Sequence, residues 1–173
     1  MLMQNCGNLH SLSLVQMSMP STTMPVIIEY LEIANCLEEL DISWNNFRPR
    51  DFVMLMDHLQ NNVILHSLNL SWNQLIPTEE QKLNSDFRYP NRIDKFFDRE
   101  DHEFETLSAL LANRFAKMVR FSTHLQHLDL TNTGLNEIFL FDILPGLRRS
   151  KSLLSFHCGV NPGINKKIQK YWH

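Results

Sequence analysis

Apolar residues recur along the chain with one fixed spacing, in which leucine or isoleucine holds the first, fourth and sixth positions of an eleven-residue segment. The clearest copies read LEELDISWNNF from Leu37, LHSLNLSWNQL from Leu65 and LQHLDLTNTGL from Leu125. Weaker copies begin at Leu9 and Leu153, so successive starts are separated by 28, 28, 60 and 28 residues. Equal intervals of this kind predict an array of repeated structural units.

Each copy predicts a short strand followed by a turn. The repeated leucines come from a strand whose alternate side chains point inward. Asn45 and Asn73 stand where the chain leaves the strand, and there a side-chain amide can bond backbone groups that the turn leaves unpaired. Met17 and Thr133 occupy that place in two other copies. We therefore expect irregular or water-bridged turns at those two positions.

The second part of each unit carries apolar residues at helical spacing, which predicts a helix after each strand. One helix is expected from about residue 103 to 120, and a short one over residues 165–172. Pro145 and Gly146 are expected to end the helix that begins near Ile138. The predicted inward stripes are Val26, Ile27, Tyr30, Leu31 and Ala34; Phe52, Leu55, Met56 and Leu59; Phe104, Leu107, Leu110, Leu111, Phe115 and Met118; and Ile138, Phe141, Ile143 and Leu144.

A strand and a full helix within 28 residues resemble the longer type of leucine-rich repeat, found in the ribonuclease-inhibitor-like subfamily. The LDISWN and LNLSWN forms are similar to those of cytoplasmic and ciliary leucine-rich-repeat proteins. The resemblance covers nearly the whole chain. It implies an α/β fold: a right-handed solenoid with a parallel sheet on the concave face and helices on the convex face. Residues 1–173 are then expected to form a single leucine-rich-repeat domain.

The 60-residue interval breaks the pattern, and two interpretations compete. Residues 84–102 form an insertion, or Ile93 and Phe96 mark a degenerate repeat. The charged, proline-containing sequence favours an insertion, because a degenerate strand would bury Asp98 or its neighbours without a partner. Insertions in repeat arrays often carry recognition. The aromatic residues of this segment either anchor a partner or pack back onto the array: Phe87, Tyr89, Phe96 and Phe97.

Polar residues lie between the inward leucines and are expected on the open face of the sheet. Asp129 and His157 should be lateral neighbours, with His127 and Ser155 beside them. A hydrolase or metal site there is a distant alternative, because a flat, solvated face offers no oxyanion donors and no convergence of four ligands. Cys158 takes an inward position and predicts a buried thiol. No catalytic, cofactor or metal-ligating residue is therefore predicted.

Trp44 and Trp72 hold identical positions in neighbouring units and should lie side by side. They form either a structural ladder or a binding hot spot, since tryptophan is enriched in hot spots. The full set of predicted partner-binding residues is Trp44, Trp72, Glu39, Asp41, Phe87, Tyr89, Phe96, Phe97, His127, Asp129, His157, Lys166, Lys167 and Lys170.

Charge and composition narrow the function classes. The chain is 43% apolar and 20% charged, which excludes wholesale disorder, and its net charge of −3 argues against nucleic-acid binding. Residues 1–80 carry nine acidic and two basic residues, whereas residues 81–173 carry ten and fourteen. The basic residues of the second part are either solvated helix exteriors or part of an oriented contact with an acidic surface. They include Arg114, Lys117, Arg120, Arg148, Arg149, Lys151, Lys166, Lys167 and Lys170.

Three scattered cysteines, the lack of Lys or Arg in the first twenty residues and the lack of a long apolar run predict a cytoplasmic protein without a membrane span. We see no capping unit at the first repeat, so at least one end of the array is expected to dock on another protein or another chain. The sequence thus predicts a non-catalytic, protein-binding scaffold subunit of a large assembly, with a ciliary axoneme as the preferred setting. The leading alternative is a regulator that covers a partner enzyme.

Overall fold

The computed structural model describes residues 8–77 and 106–171, and within them five short strands form one parallel sheet. Each strand pairs with its neighbours in sequence, in the order β1-β2-β3-β4-β5. The strands are β1 (Ser11–Ser13), β2 (Glu39–Asp41), β3 (Ser67–Asn69), β4 (His127–Asp129) and β5 (Ser155–His157).

Helices alternate with the strands, as the repeat spacing predicts. A short 3₁₀ turn, Ser21–Thr23, leads into the first of them. The helices are α1 (Met24–Ile33), α2 (Pro49–Leu59), α3 (Leu107–Phe121), α4 (Glu137–Arg149) and α5 (Lys166–Tyr171). We call one strand, with the turn and helix that follow it, a rung.

The register of the sheet aligns the repeated apolar residues of all five rungs. Leu12, Leu40, Leu68, Leu128 and Phe156 are successive partners across the sheet. The three central leucines are almost completely buried, since their side chains join the helices in one hydrophobic core. The repeat positions predicted from sequence therefore line up as stacked rungs.

Most residues predicted to face the core from the helices are buried, and the prediction is wrong at two positions. The predicted residues of α2 and the described residues of α3 are buried. Val26 and Ile138, however, are 48% and 72% exposed. Ile28 and Leu140 are buried in addition to most of the other predicted residues, so the faces of α1 and α4 that meet the core are displaced toward one edge of the predicted stripes.

Helix α4 continues to Arg149, so the expected helix end at Pro145 and Gly146 is wrong. A Cβ atom on Gly146 would lie only 2.4 Å from the carbonyl oxygen of Ala116 in α3. Glycine is therefore needed here for the close approach of two helices, and this packing outweighs the helix-breaking tendency of the preceding proline.

The 60-residue interval separates two strands that are hydrogen-bonded neighbours. β3 pairs directly with β4, from Ser67 with His127 to Asn69 with Asp129. The predicted insertion at 84–102 lies outside the described residues. So do its four aromatic residues, Phe87, Tyr89, Phe96 and Phe97. Among the described residues, no helix is both long and apolar enough to cross a bilayer.

Candidate protein-binding surface

Polar side chains at the third and fifth repeat positions line the side of the sheet that faces away from the core. We call these positions the open sheet face. Glu39 and His127 are exposed there, whereas Asp41 and Asp129 are half-buried. The register places Asp129 beside His157, which confirms the predicted lateral pair. The open sheet face consists of Ser11, Ser13, Glu39, Asp41, Ser67, Asn69, His127, Asp129, Ser155 and His157.

The fifth-position side chains also brace the turns that follow the strands. Oδ1 of Asp41 accepts a hydrogen bond from the backbone N–H of Ser43 at 2.9 Å, and Oδ1 of Asp129 accepts one from Thr131 at 2.8 Å. Asn69 makes the same bond in the third rung, and its Nδ2 donates to Oδ2 of Asp41 at 2.9 Å. Asp41 and Asp129 are therefore structural residues as well as candidate contacts.

Buried asparagines close the turns of three rungs. Nδ2 of Asn73 donates to the carbonyl oxygens of Ile42 and Leu70, both at 3.0 Å. Asn45 bonds the carbonyl oxygens of Leu14 and Ile42 in the same way. Each amide thus links its own rung to the rung before it.

The two turns without an asparagine have an irregular backbone, as expected. Ser18 and Gly134 hold the same repeat position in these turns and have positive φ angles of 51° and 79°, whereas the turns with an asparagine carry no such residue there. Oδ1 of Asn45 accepts from the N–H groups of Met17 and Met19, at 3.1 and 3.2 Å. In the fourth rung, the N–H of Thr133 donates to Oδ1 of Asn161, one rung later, at 2.9 Å. The next rung supplies the missing amide, so no water is required at these groups.

A left-handed backbone residue precedes that asparagine position in every described rung. Its φ angle lies between 50° and 58° in all five rungs. Asparagine adopts this conformation readily, whereas a tryptophan or a β-branched residue is strained in it. The repeat motif gave no signal for this geometry. The five residues are Gln16, Trp44, Trp72, Asn132 and Val160.

Trp44 and Trp72 stack on each other, as their matching repeat positions predict. Their ring centroids are 4.1 Å apart and the ring planes differ by 9°. The side chains are also 47% and 40% exposed, so the stack forms an aromatic surface at the ends of β2 and β3. Structural stacking and exposure to a partner therefore coexist in one pair.

The serine, histidine and aspartate of the last two rungs lie on an exposed face. Oγ of Ser155 and Nε2 of His157 are 2.8 Å apart within one strand. Oδ1 of Asp129 is engaged by the turn that follows its own strand. Within residues 8–77 and 106–171, no three His, Cys, Asp or Glu side chains converge as metal ligands would. Cys158 is buried, and burial, assisted by the charge of Asp129, raises the pKa of its thiol to about 12.

The basic residues separate into two environments. Arg114, expected on a helix exterior or in a charged contact, is only 3% exposed and pairs with Asp57 of α2 at 2.7 Å. That ion pair links α2 to α3. Lys166 and Lys170 of α5 are exposed, and the placement of the Lys167 side chain lies outside the description.

Comparisons with known proteins agree with this architecture. A family model described as Leucine Rich repeat matches residues 34–51, which contain β2 and its turn. No curated protein matches the sequence. The repeat match, the 28-residue spacing and the aligned rungs together define a leucine-rich-repeat type of fold.

Two solved structures are similar over almost the whole chain. The first is leiomodin-1 actin-binding site 2, with 10% sequence identity and a TM-score of 0.70, covering 99% of this chain and 80% of that one. The second is the tropomodulin C-terminal domain of Caenorhabditis elegans, with 11% identity and a TM-score of 0.67, covering 98% and 83%. At these identities the likeness shows the fold alone.

Proposed function

We propose that this chain is a non-catalytic protein-binding domain that uses the open sheet face and the stacked tryptophans to hold a subunit of a cytoskeletal assembly. The observation that carries the proposal is the exposed pair of Trp44 and Trp72 on a rigid parallel sheet. Exposed aromatic side chains on a rigid surface are typical of protein interfaces. The predicted contacts Glu39 and His127 lie on the same face.

Actin filaments are the first partner to test. The support is a fold shared with a domain described as an actin-binding site of leiomodin-1. The resemblance of the repeat motif to ciliary proteins supports a microtubule-based alternative, in which the chain belongs to an axoneme and works in the cytoplasm. Both settings are cytoskeletal, and in both the binding partner is a protein.

We further propose that residues 1–173 form one repeat domain with an insertion at about 84–102. The direct pairing of β3 with β4 supports this arrangement, since a degenerate repeat would introduce a strand between them. We also propose that the rungs form a right-handed solenoid with the sheet on its concave face, and the in-register stacking of the five strands supports this. One end of the array would dock on a neighbouring subunit, with exposed Lys166 and Lys170 facing an acidic surface.

Co-sedimentation of the purified chain with actin filaments and, separately, with microtubules tests the proposal. We expect saturable pelleting with one of the two filaments. The variant Glu39→Arg should reduce the bound fraction, because it reverses a charge on the open sheet face. Glu29→Arg makes the same change at an exposed position of α1 and is the matched control. Absence of binding to both filaments, or equal losses in the two variants, would contradict the proposal.

A further inference from the structure

The choice of tryptophan at positions 44 and 72 is not explained by the backbone. All five rungs hold a left-handed residue there, and the other three use Gln16, Asn132 and Val160. Asparagine fits this conformation with the least strain, so the fold itself has no need of an indole. The two tryptophans therefore require an explanation through their side chains.

Hydrogen bonding and stacking restrict the conformations of the two tryptophans. The backbone of each tryptophan is held by a hydrogen bond to the next rung. The backbone N–H of Trp44 donates to the carbonyl oxygen of Ser71 at 3.0 Å, and that of Trp72 donates to the carbonyl oxygen of Thr131 at 2.9 Å. Mutual stacking restricts the two rings further. Little conformational entropy remains to be lost when a partner covers a surface held in this way.

Each indole also carries an unused hydrogen-bond donor. Among the described residues, neither Nε1–H of Trp44 nor that of Trp72 donates to a protein acceptor. A peptide segment laid across the stack offers backbone carbonyl groups as acceptors. The surface thus combines an apolar area with two donors, which is how tryptophan acts at many interfaces.

The charged residues of the open sheet face in the first three rungs are acidic. On the open sheet face of β1 to β3 the charged residues are Glu39 and Asp41, with no Lys or Arg at those positions. Glu39 is exposed, and its carboxylate has no ion-pair or hydrogen-bond partner within the described residues. Arg48 and Arg50 lie at the start of α2, outside the sheet.

We propose that Trp44 and Trp72, together with Glu39, bind an arginine-bearing segment of a protein partner. Guanidinium groups are flat and weakly hydrated, so they stack on indole rings, and they also pair with carboxylates through two parallel hydrogen bonds. Lysine provides the charge without the flat surface. This inference rests on the proposed function, because it names the chemistry of the partner at the same surface.

The test uses a labelled decapeptide of alternating glycine and arginine, whose binding to the full chain is measured by fluorescence anisotropy. The matching glycine–lysine and glycine–glutamate peptides are the probes for comparison. We expect the arginine peptide to bind several-fold more tightly than the lysine peptide, and the glutamate peptide not to bind. Glu39→Gln should weaken binding of the arginine peptide and flatten its salt dependence.

The decisive variant is Trp44→Gln combined with Trp72→Asn, since Gln16 and Asn132 already occupy this turn position in neighbouring rungs. This double variant should weaken binding of the arginine peptide about tenfold or more, which is the effect expected for residues of a hot spot. The matched control, Val160→Gln, changes an exposed residue at the same turn position in the last rung and should bind like the parent.

Other outcomes overturn the proposal. Unchanged peptide affinity in the double variant, with a lowered unfolding midpoint, would make the tryptophans a packing ladder only. Equal binding of the arginine and lysine peptides would reduce the site to general charge attraction. If filament co-sedimentation succeeds while the peptide result fails, the partner chemistry is wrong and the protein-binding function stands. If neither filament binds, the proposed function fails independently of the peptide result.

Discussion

The side chain of Asn161 completes the turn around Thr133, one rung before its own. Its Oδ1 accepts hydrogen bonds from the N–H groups of Thr133 and Leu135, at 2.9 and 3.0 Å. Its Nδ2 donates to the carbonyl oxygens of Leu130 and Cys158, at 2.7 and 2.8 Å. All of these groups are buried, so a single amide satisfies backbone groups of two rungs.

Replacement of Asn161 by alanine should therefore be strongly destabilising. The variant leaves several buried backbone groups without partners, and the free energy of unfolding should fall by about 2–5 kcal/mol. Denaturant unfolding measures the change. Asn46→Ala is the matched control at an exposed turn position of the second rung. Equal stability of the two variants would show that the cross-rung bonds contribute little.

Helix packing depends on Gly146. A Cβ atom there would lie 2.4 Å from the carbonyl oxygen of Ala116 and 2.7 Å from its Cα, and both are backbone atoms that cannot rotate aside. Gly146→Ala should lower the free energy of unfolding by about 1–3 kcal/mol, because it forces α3 and α4 apart.

Gly159→Ala is the control for this substitution. A Cβ atom at Gly159 would meet no heavy atom within 4 Å, so the variant should retain the parent stability or gain up to about 0.5 kcal/mol. Denaturant unfolding of both variants gives the comparison. The close-approach explanation for Gly146 is wrong if the two alanine variants unfold at the same denaturant concentration.

Asp57 and Arg114 tie α2 to α3 across the long interval in the repeat. Their charged atoms are 2.7 Å apart, and both side chains are largely removed from solvent. Removing either partner leaves a buried charge without its counter-ion, so Asp57→Leu or Arg114→Met alone should cost about 3–5 kcal/mol.

The double variant should recover most of that loss, because two apolar side chains need no counter-ion. Unfolding measurements on the parent, both single variants and the double variant form a complete cycle. Additive effects of the two substitutions would show that the ion pair carries no coupling energy.

Cys158 should be unreactive in the folded protein. Burial, with a further contribution from Asp129, raises the pKa of its thiol from 9.0 to about 12, so at pH 8 its thiolate is on the order of a thousandfold scarcer than in the unfolded chain. A variant with Cys6→Ser and Cys36→Ser isolates this thiol. Its reaction with a thiol reagent should be slow in buffer and fast in denaturant.

The raised pKa of Cys158 also makes the stability of the fold depend on pH. The stability associated with this thiol is complete below pH 9 and is lost as pH rises toward 12, because only the unfolded thiol ionises in that window. Cys158→Ala should make the alkaline loss of stability smaller than in the parent. Rapid labelling of the native thiol at pH 8 would contradict its burial.

Spacing alone was enough to place the rungs and the lateral pairs. Inward leucines every 28 residues predicted the alignment of Leu40 with Leu68, and the same arithmetic placed Trp44 beside Trp72 and Asp129 beside His157. These results follow because stacked units repeat their geometry, so equal sequence positions become neighbours. The ribonuclease-inhibitor-like subfamily and the ciliary setting stay predictions.

Contacts between units were decided by the tertiary structure. The continuation of α4 through Pro145 and Gly146, the burial of Arg114 against Asp57 and the repair of the Thr133 turn by Asn161 each depend on an atom from another rung. A repeat pattern records what each unit needs for its own strand and helix. It carries no information on how closely two helices approach or which neighbouring side chain reaches an unpaired group, because those distances exist only once the rungs are stacked.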